Sequence, residues 1–178
     1  LERESGTLNV TLTDGDSPVA TATSEISILA HDEWGGSLVL PELIAAFISP
    51  RHPSVTTLIR KASDILKSWN ADPSLEGYQS KDSRRVRQLV AAIYAVIKDC
   101  DIAYCVPPAS FEENGQKIRT ADQVLETRLG TCIDLTVLFA SCLEAIGLHP
   151  LIIMVSEHAF VGSWLIDETF SESVQDDV

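Results

Sequence analysis

The sequence predicts an α+β domain in which a central buried helix packs on an antiparallel sheet, preceded by a small N-terminal β appendage. Three observations carry this expectation. Residues 132–146 are apolar almost all round, two amphipathic helical patterns precede them at 54–69 and 82–99, and two β-branched runs follow at 150–156 and 158–166. A helix apolar around its whole circumference belongs in the middle of a domain. Two runs that meet at Ser156-Glu157 pair most simply as an antiparallel hairpin. The organisation implied is residues 1–36 as a β appendage or the remnant of a preceding β domain, and 37–178 as the core.

Composition narrows the function classes. With 178 residues, 45% of them hydrophobic, the chain can bury a real core as one globular domain. A mean hydropathy of +0.11 excludes disorder of the whole, and no apolar run approaches the roughly 18 residues of a membrane span. The 26 Asp and Glu against 13 Lys and Arg leave a net charge of −13, which argues against direct nucleic-acid contact by this segment. The four cysteines, at 100, 105, 132 and 142, form no CxxC pair, so neither a zinc site nor a disulfide scaffold is expected, and a reducing, cytoplasmic setting is the simpler reading. The opening Leu1-Glu2-Arg3-Glu4-Ser5 shows no signal-peptide pattern, and without an initiator Met the segment reads as an excerpt of a longer protein or a processed product.

The elements follow in order. Residues 7–30 alternate in period two around the turn cluster Asp14-Gly15-Asp16-Ser17-Pro18 and read as two strands. HDEWGG at 31–36 reads as a loop, and LPELIAAFI at 40–48 as a short helix stopped by Pro50 and Pro53. Residues 54–69 carry Val55, Leu58, Ile59, Ala62, Ile65, Leu66 and Trp69 at helical spacing. Residues 82–99 repeat the pattern, with Arg84, Arg85, Arg87 and Lys98 expected on a solvated outer face. Pro107-Pro108 and Asn114-Gly115 forbid regular structure across 100–119. Thr120 can cap a helix over ADQVLETRL ending at Gly130. Thr131, with Asp134 three residues on, can cap the central helix, which Gly147 stops.

Chemistry is expected around Cys132. As the first helical residue after Thr131, its sulfur lies among unpaired backbone N–H groups at the positive end of the helix dipole, where a thiolate is favoured over a thiol. The nearby Asp134 carboxylate works against this as a like charge. His158, 26 residues downstream at a strand start, is the candidate base, and a helix-start cysteine facing a sheet histidine is the Cys–His arrangement of papain-like sites. The plainer alternatives stay open: a cysteine as a small buried hydrophobe, and a histidine beside Ala159-Phe160-Val161 as a packed side chain with one hydrogen bond.

The run RTADQVLETRLGTCIDLTVLFASCLEAIGLHPLIIMVSEHAFVGSWL resembles the transglutaminase-like core, in which a helix ends in Gly-x-Cys, a buried helix follows and a His-Ala-aromatic strand comes after. The segments EWGG, LPELIAAF, GYQ, PPASFEENGQKIRT, GTCIDL and HAFVGSWL together resemble, over roughly 30–175, the transglutaminase-like region of large bacterial proteins that also carry a superfamily 1 helicase and a nuclease-like region. The resemblance implies a papain-like transglutaminase core with Cys132 as nucleophile and His158 as base. No cofactor and no metal are expected, and the expected partners are a protein or peptide substrate or the rest of a helicase-like polypeptide.

Gln116 could supply an oxyanion donor as an upstream glutamine does in papain-like sites. Its 16-residue separation from Cys132 favours a loop-ordering role instead. His31, Asp32 and Glu33 read as loop polarity rather than a metal cluster, and Trp34, Trp69 and Trp164 as core or domain-contact residues. Cys100, Cys105 and Cys142 read as structural. The group that orients His158 is expected to be Asp176, with Asp177 or a residue past Val178 as alternatives. Asp167 lies nine residues along one expected strand, roughly 30 Å away at about 3.3 Å per residue, beyond hydrogen-bond reach.

Overall fold

The computed structural model describes residues 2–38, 40–107 and 115–175. It is a mixed α+β arrangement of helices and small, mostly antiparallel sheets. Strands β1 (Glu4–Asp14) and β2 (Ser17–Ile28) form an antiparallel hairpin, Leu8 opposite Ser24 and Val10 opposite Ala22, with Gly15 at φ +60° in the turn. Alternation sends Leu8, Val10, Leu12, Ile26 and Ile28 to one face, all of them exposed, and a Thr-rich set to the other. Ion pairs hold the base of this hairpin: Arg3 donates to Glu33 through Nε (2.9 Å) and Nη2 (2.5 Å), and Lys117 Nζ to Glu2 Oε1 (3.0 Å).

Next come β3 (Glu33–Trp34) and a 3-10 helix over Pro41–Phe47. Helices α1 (Pro53–Ser68) and α2 (Ser83–Lys98) pack on each other and on the last helix. Strands β4 (Ala103–Tyr104) and β5 (Gln116–Lys117), helix α3 (Ala121–Thr127), strand β6 (Leu129–Gly130), helix α4 (Cys132–Ala145) and the hairpin β7 (Pro150–Val155) with β8 (His158–Ser163) complete the order. The main core gathers Val55, Leu58 and Leu66 of α1, Val86, Leu89 and Ile93 of α2, and Leu138, Cys142 and Leu143 of α4. The β7–β8 hairpin covers another side of α4, so this helix is sandwiched as its all-round apolar sequence requires.

Three sequence expectations need correction. Residues 31–36 and 100–119 are not wholly irregular, because Glu33–Trp34 pair antiparallel with Lys117–Gln116 and Ala103–Tyr104 pair in parallel with Leu129–Gly130. Helix α3 ends at Arg128 in the left-handed region (φ 51°), not at Gly130, which frees Leu129–Gly130 to pair in parallel with Ala103–Tyr104. Arg85 is not on the outer face. It is 9% exposed, and its guanidinium donates to the carbonyls of Asp72 (3.0 Å), Ser74 and Glu76 (3.2 Å), organising the connector between α1 and α2. Trp34 is core at 1% exposure, whereas Trp69, the last apolar position of the α1 pattern, caps that helix from the surface at 46%.

Cys142 faces inward as expected, and burial, with the neighbouring Cys100 adding to it, pushes its thiol up to about 12. The folded chain thus keeps this proton where the unfolded chain gives it up. The stabilisation is fully present below the ordinary thiol range and is lost as pH rises towards about 12. Cys142→Ala removes that dependence while leaving a cavity. Urea midpoints of wild type and variant should therefore converge between about pH 8 and pH 11, and a constant gap would show that the thiol does not titrate on unfolding.

Candidate functional site

Cys132 is the first residue of α4, and the local sequence explains why the helix begins there. Thr131 is extended (φ −80°, ψ 174°) and acts as N-cap, its Oγ1 accepting from Asp134 N at 3.3 Å. Asp134 Oδ2 accepts from Thr131 N at 2.9 Å, completing the capping box that the sequence predicts. The carboxylate is 1% exposed, a costly position for an unpaired charge. It is compensated by Arg119, which donates to it twice, from its backbone N to Oδ1 and from Nη1 to Oδ2, both at 2.8 Å. The pair raises the Arg119 guanidinium above its ordinary value, through that hydrogen bond first.

Gln116 is buried on β5, and its Nε2 donates to Thr131 Oγ1 at 3.1 Å, so the amide lies against the residue that precedes Cys132. Its Oε1, and Nε1 of Trp34 opposite it in the β3–β5 pair, are buried without a hydrogen-bond partner among the described residues. Gly115 makes this close pairing possible. A Cβ there would lie 1.8 Å from the Trp34 carbonyl oxygen, and its φ of +72° suits glycine.

On the other side of the helix start, the parallel β4–β6 pair sets Tyr104 opposite Gly130, and Cys105 N donates to Gly130 O at 2.9 Å. The Tyr104 phenol is pushed above its ordinary value, first by desolvation, then by the charge of and a hydrogen bond with Cys132, and last by Cys105.

Cys132 itself is 3% exposed and shares a cluster with Trp34, Ile133, Val137 and Ala159. Ala159 adjoins His158 at the start of β8, so the backbone of His158 is next in sequence to a residue of the buried cluster that also holds Cys132. Cross-strand pairs share a face of a sheet, and the pair Met154–Ala159 faces α4. His158 belongs to the opposite, exposed face, where its ring lies 6.4 Å from that of Phe160. Among the described residues its ring makes no hydrogen bond to the Cys132 thiol.

Asp167 lies away from His158, past the end of β8, and its Oδ1 is 2.8 Å from His149 Nε2. The His149 ring stacks on Tyr78, whose hydroxyl donates to Trp164 O at 2.9 Å and accepts from His149 N at 3.1 Å. Asp176 and Asp177 fall outside the described residues. Among the described residues no group of three or more His, Cys, Asp or Glu could hold a metal ion, and Glu33 is engaged by Arg3 and by Ala30 N. No helix among them is long and apolar enough to cross a membrane.

Arg119 and Tyr104 are the site neighbours that sequence reasoning missed. Both stand in or beside a stretch read as irregular, and pairing over 15 residues or more leaves no periodic trace. Compared with known proteins, the chain matches no family model, no curated protein and no solved structure.

Proposed function

We propose that this segment carries a papain-like, transglutaminase-like site for thiol-dependent acyl transfer or amide hydrolysis, with Cys132 as nucleophile and His158 as base, within a larger helicase-related protein. The observation that supports it best is the built start of α4: Cys132 follows a satisfied capping box, with the Gln116 amide against Thr131 and the Tyr104 hydroxyl beside the sulfur. In the reaction, His158 takes the thiol proton as Cys132 Sγ bonds to the acyl carbon. The proton then goes to the leaving amine as the C–N bond breaks, and the thioester is resolved by water or by a second amine. Protein or peptide amides are the substrate class.

The 3% exposure of Cys132 and the outward face of His158 favour a second reading, a catalytically silent module that docks partner proteins or the helicase region.

An activated ester separates the two. Incubated with p-nitrophenyl acetate, the protein should carry an acetyl group on Cys132 by peptide mass spectrometry, in preference to Cys100, Cys105 and Cys142, and His158→Ala should slow its formation at least about tenfold. Iodoacetamide at about pH 6 should show the same preference for Cys132. Equal labelling of all four cysteines, or none at Cys132, would leave only the silent module.

A further inference from the structure

We infer that Arg119 and Asp134 form a charge-balancing pair that positions Cys132 and sets how readily its sulfur reacts, an inference that rests on the thiol reading above. Asp134 cannot be dispensed with locally, because its carboxylate supplies the acceptor for Thr131 N and so fixes the helix start that carries the cysteine. A carboxylate at this point also has a cost for thiol chemistry. It is a fixed negative charge within one helical turn of the sulfur, and in a buried position it is screened far less than at the surface.

Arg119 answers both problems with one residue. Its backbone N–H and its guanidinium occupy different carboxylate oxygens, so the side chain cancels the charge while the main chain ties down the segment between β5 and α3. The guanidinium is also beside the Cys105 sulfur, and Tyr104 is beside Cys132, so the charged and polar neighbours of the helix start include Arg119, Asp134, Tyr104, Cys105 and the Gln116 amide. Among these the ion pair alone carries opposite full charges whose removal, one at a time, changes the local charge in opposite directions. Neither residue touches the reacting atoms, and both act through Cys132.

This gives a test that a scaffold role does not satisfy. The rate of iodoacetamide alkylation at Cys132, read by peptide mass spectrometry at a fixed pH near 7, should fall about five- to tenfold in Arg119→Met, where the carboxylate is left unbalanced. It should rise by a similar factor in Asp134→Asn, which keeps the shape and one acceptor of the cap. The double variant Arg119→Met/Asp134→Asn should return close to the wild-type rate. Far-ultraviolet circular dichroism and thermal melting identify the temperature at which all four proteins are folded, and rates are compared there. If Asp134→Asn does not fold at any usable temperature, Asp134→Glu with Arg119→Met still requires a slow rate restored by Arg119→Lys. Rates that move in the same direction in both single variants, or that stay unchanged, overturn the inference, because a purely structural pair loosens the helix start whichever partner is lost. A wild-type protein whose Cys132 never reacts fails the thiol reading itself, a result distinct from either of these.

Discussion

Leu143→Ala and Leu138→Ala should each destabilise the protein by about 2–5 kcal/mol in urea denaturation. Leu143 is fully buried and Leu138 is 2% exposed, and both belong to the cluster that joins α1, α2 and α4. Truncation removes the transfer free energy of three methyl or methylene groups and leaves a cavity. The walls of that cavity come from three helices that cannot all close on it. Glu144→Ala on the exposed side of the same helix is the control, expected within about 0.5 kcal/mol of wild type. A loss below about 1 kcal/mol at both leucines would make α4 peripheral and would contradict the sandwiched helix described above.

Gly115→Ala should be about as damaging, for a different reason. An alanine at φ +72° pays about 1–2 kcal/mol for the left-handed conformation. Its Cβ would in addition lie 1.8 Å from the Trp34 carbonyl oxygen, a backbone atom that cannot rotate aside. The β3–β5 pair must therefore open, and the Gln116 contact to Thr131 opens with it. Gly147→Ala isolates the first contribution, since φ there is +74° and nothing lies within 4 Å of the added carbon. The expected result is a loss of more than about 3 kcal/mol at 115 against about 1–2 at 147, with the Trp34 emission of Gly115→Ala shifted towards that of a solvated indole. Equal losses at the two positions would mean that the β3–β5 contact yields without cost.

These particulars show what the sequence carried and what it did not. Helices α1, α2 and α4 were legible because sixteen or so residues repeat a helical spacing often enough to be unambiguous, and the capping box at Thr131 and Asp134 was legible because its partners are three residues apart. The two-residue strands β3 to β6 were not, since a pair of residues has no period. Their partners, such as Trp34 and Gln116, are brought together from distant parts of the chain by the tertiary fold. Arg85 reads as a surface charge, and turns inward because the connector offers a set of carbonyls that a guanidinium can satisfy without any carboxylate. At the candidate site, the positions of Cys132 and His158 on their elements were legible from local pattern. The outward face of the His158 ring was not, because which side of a strand meets a helix depends on the register of the pair.

The β1–β2 hairpin makes the colloidal behaviour of this segment a contest between two forces of different range. Leu8, Val10, Leu12, Ile26 and Ile28 present one uncovered oily side, which attracts a like surface at contact distance whatever the ionic medium. The charge of −13 holds copies apart from farther away, but only over a Debye length, about 10 Å at 0.1 M salt and about 3 Å at 1 M. Dilute buffer should therefore keep the chains dispersed. Concentrated salt, or acid that neutralises the carboxylates, removes the barrier and leaves the sticky side in control.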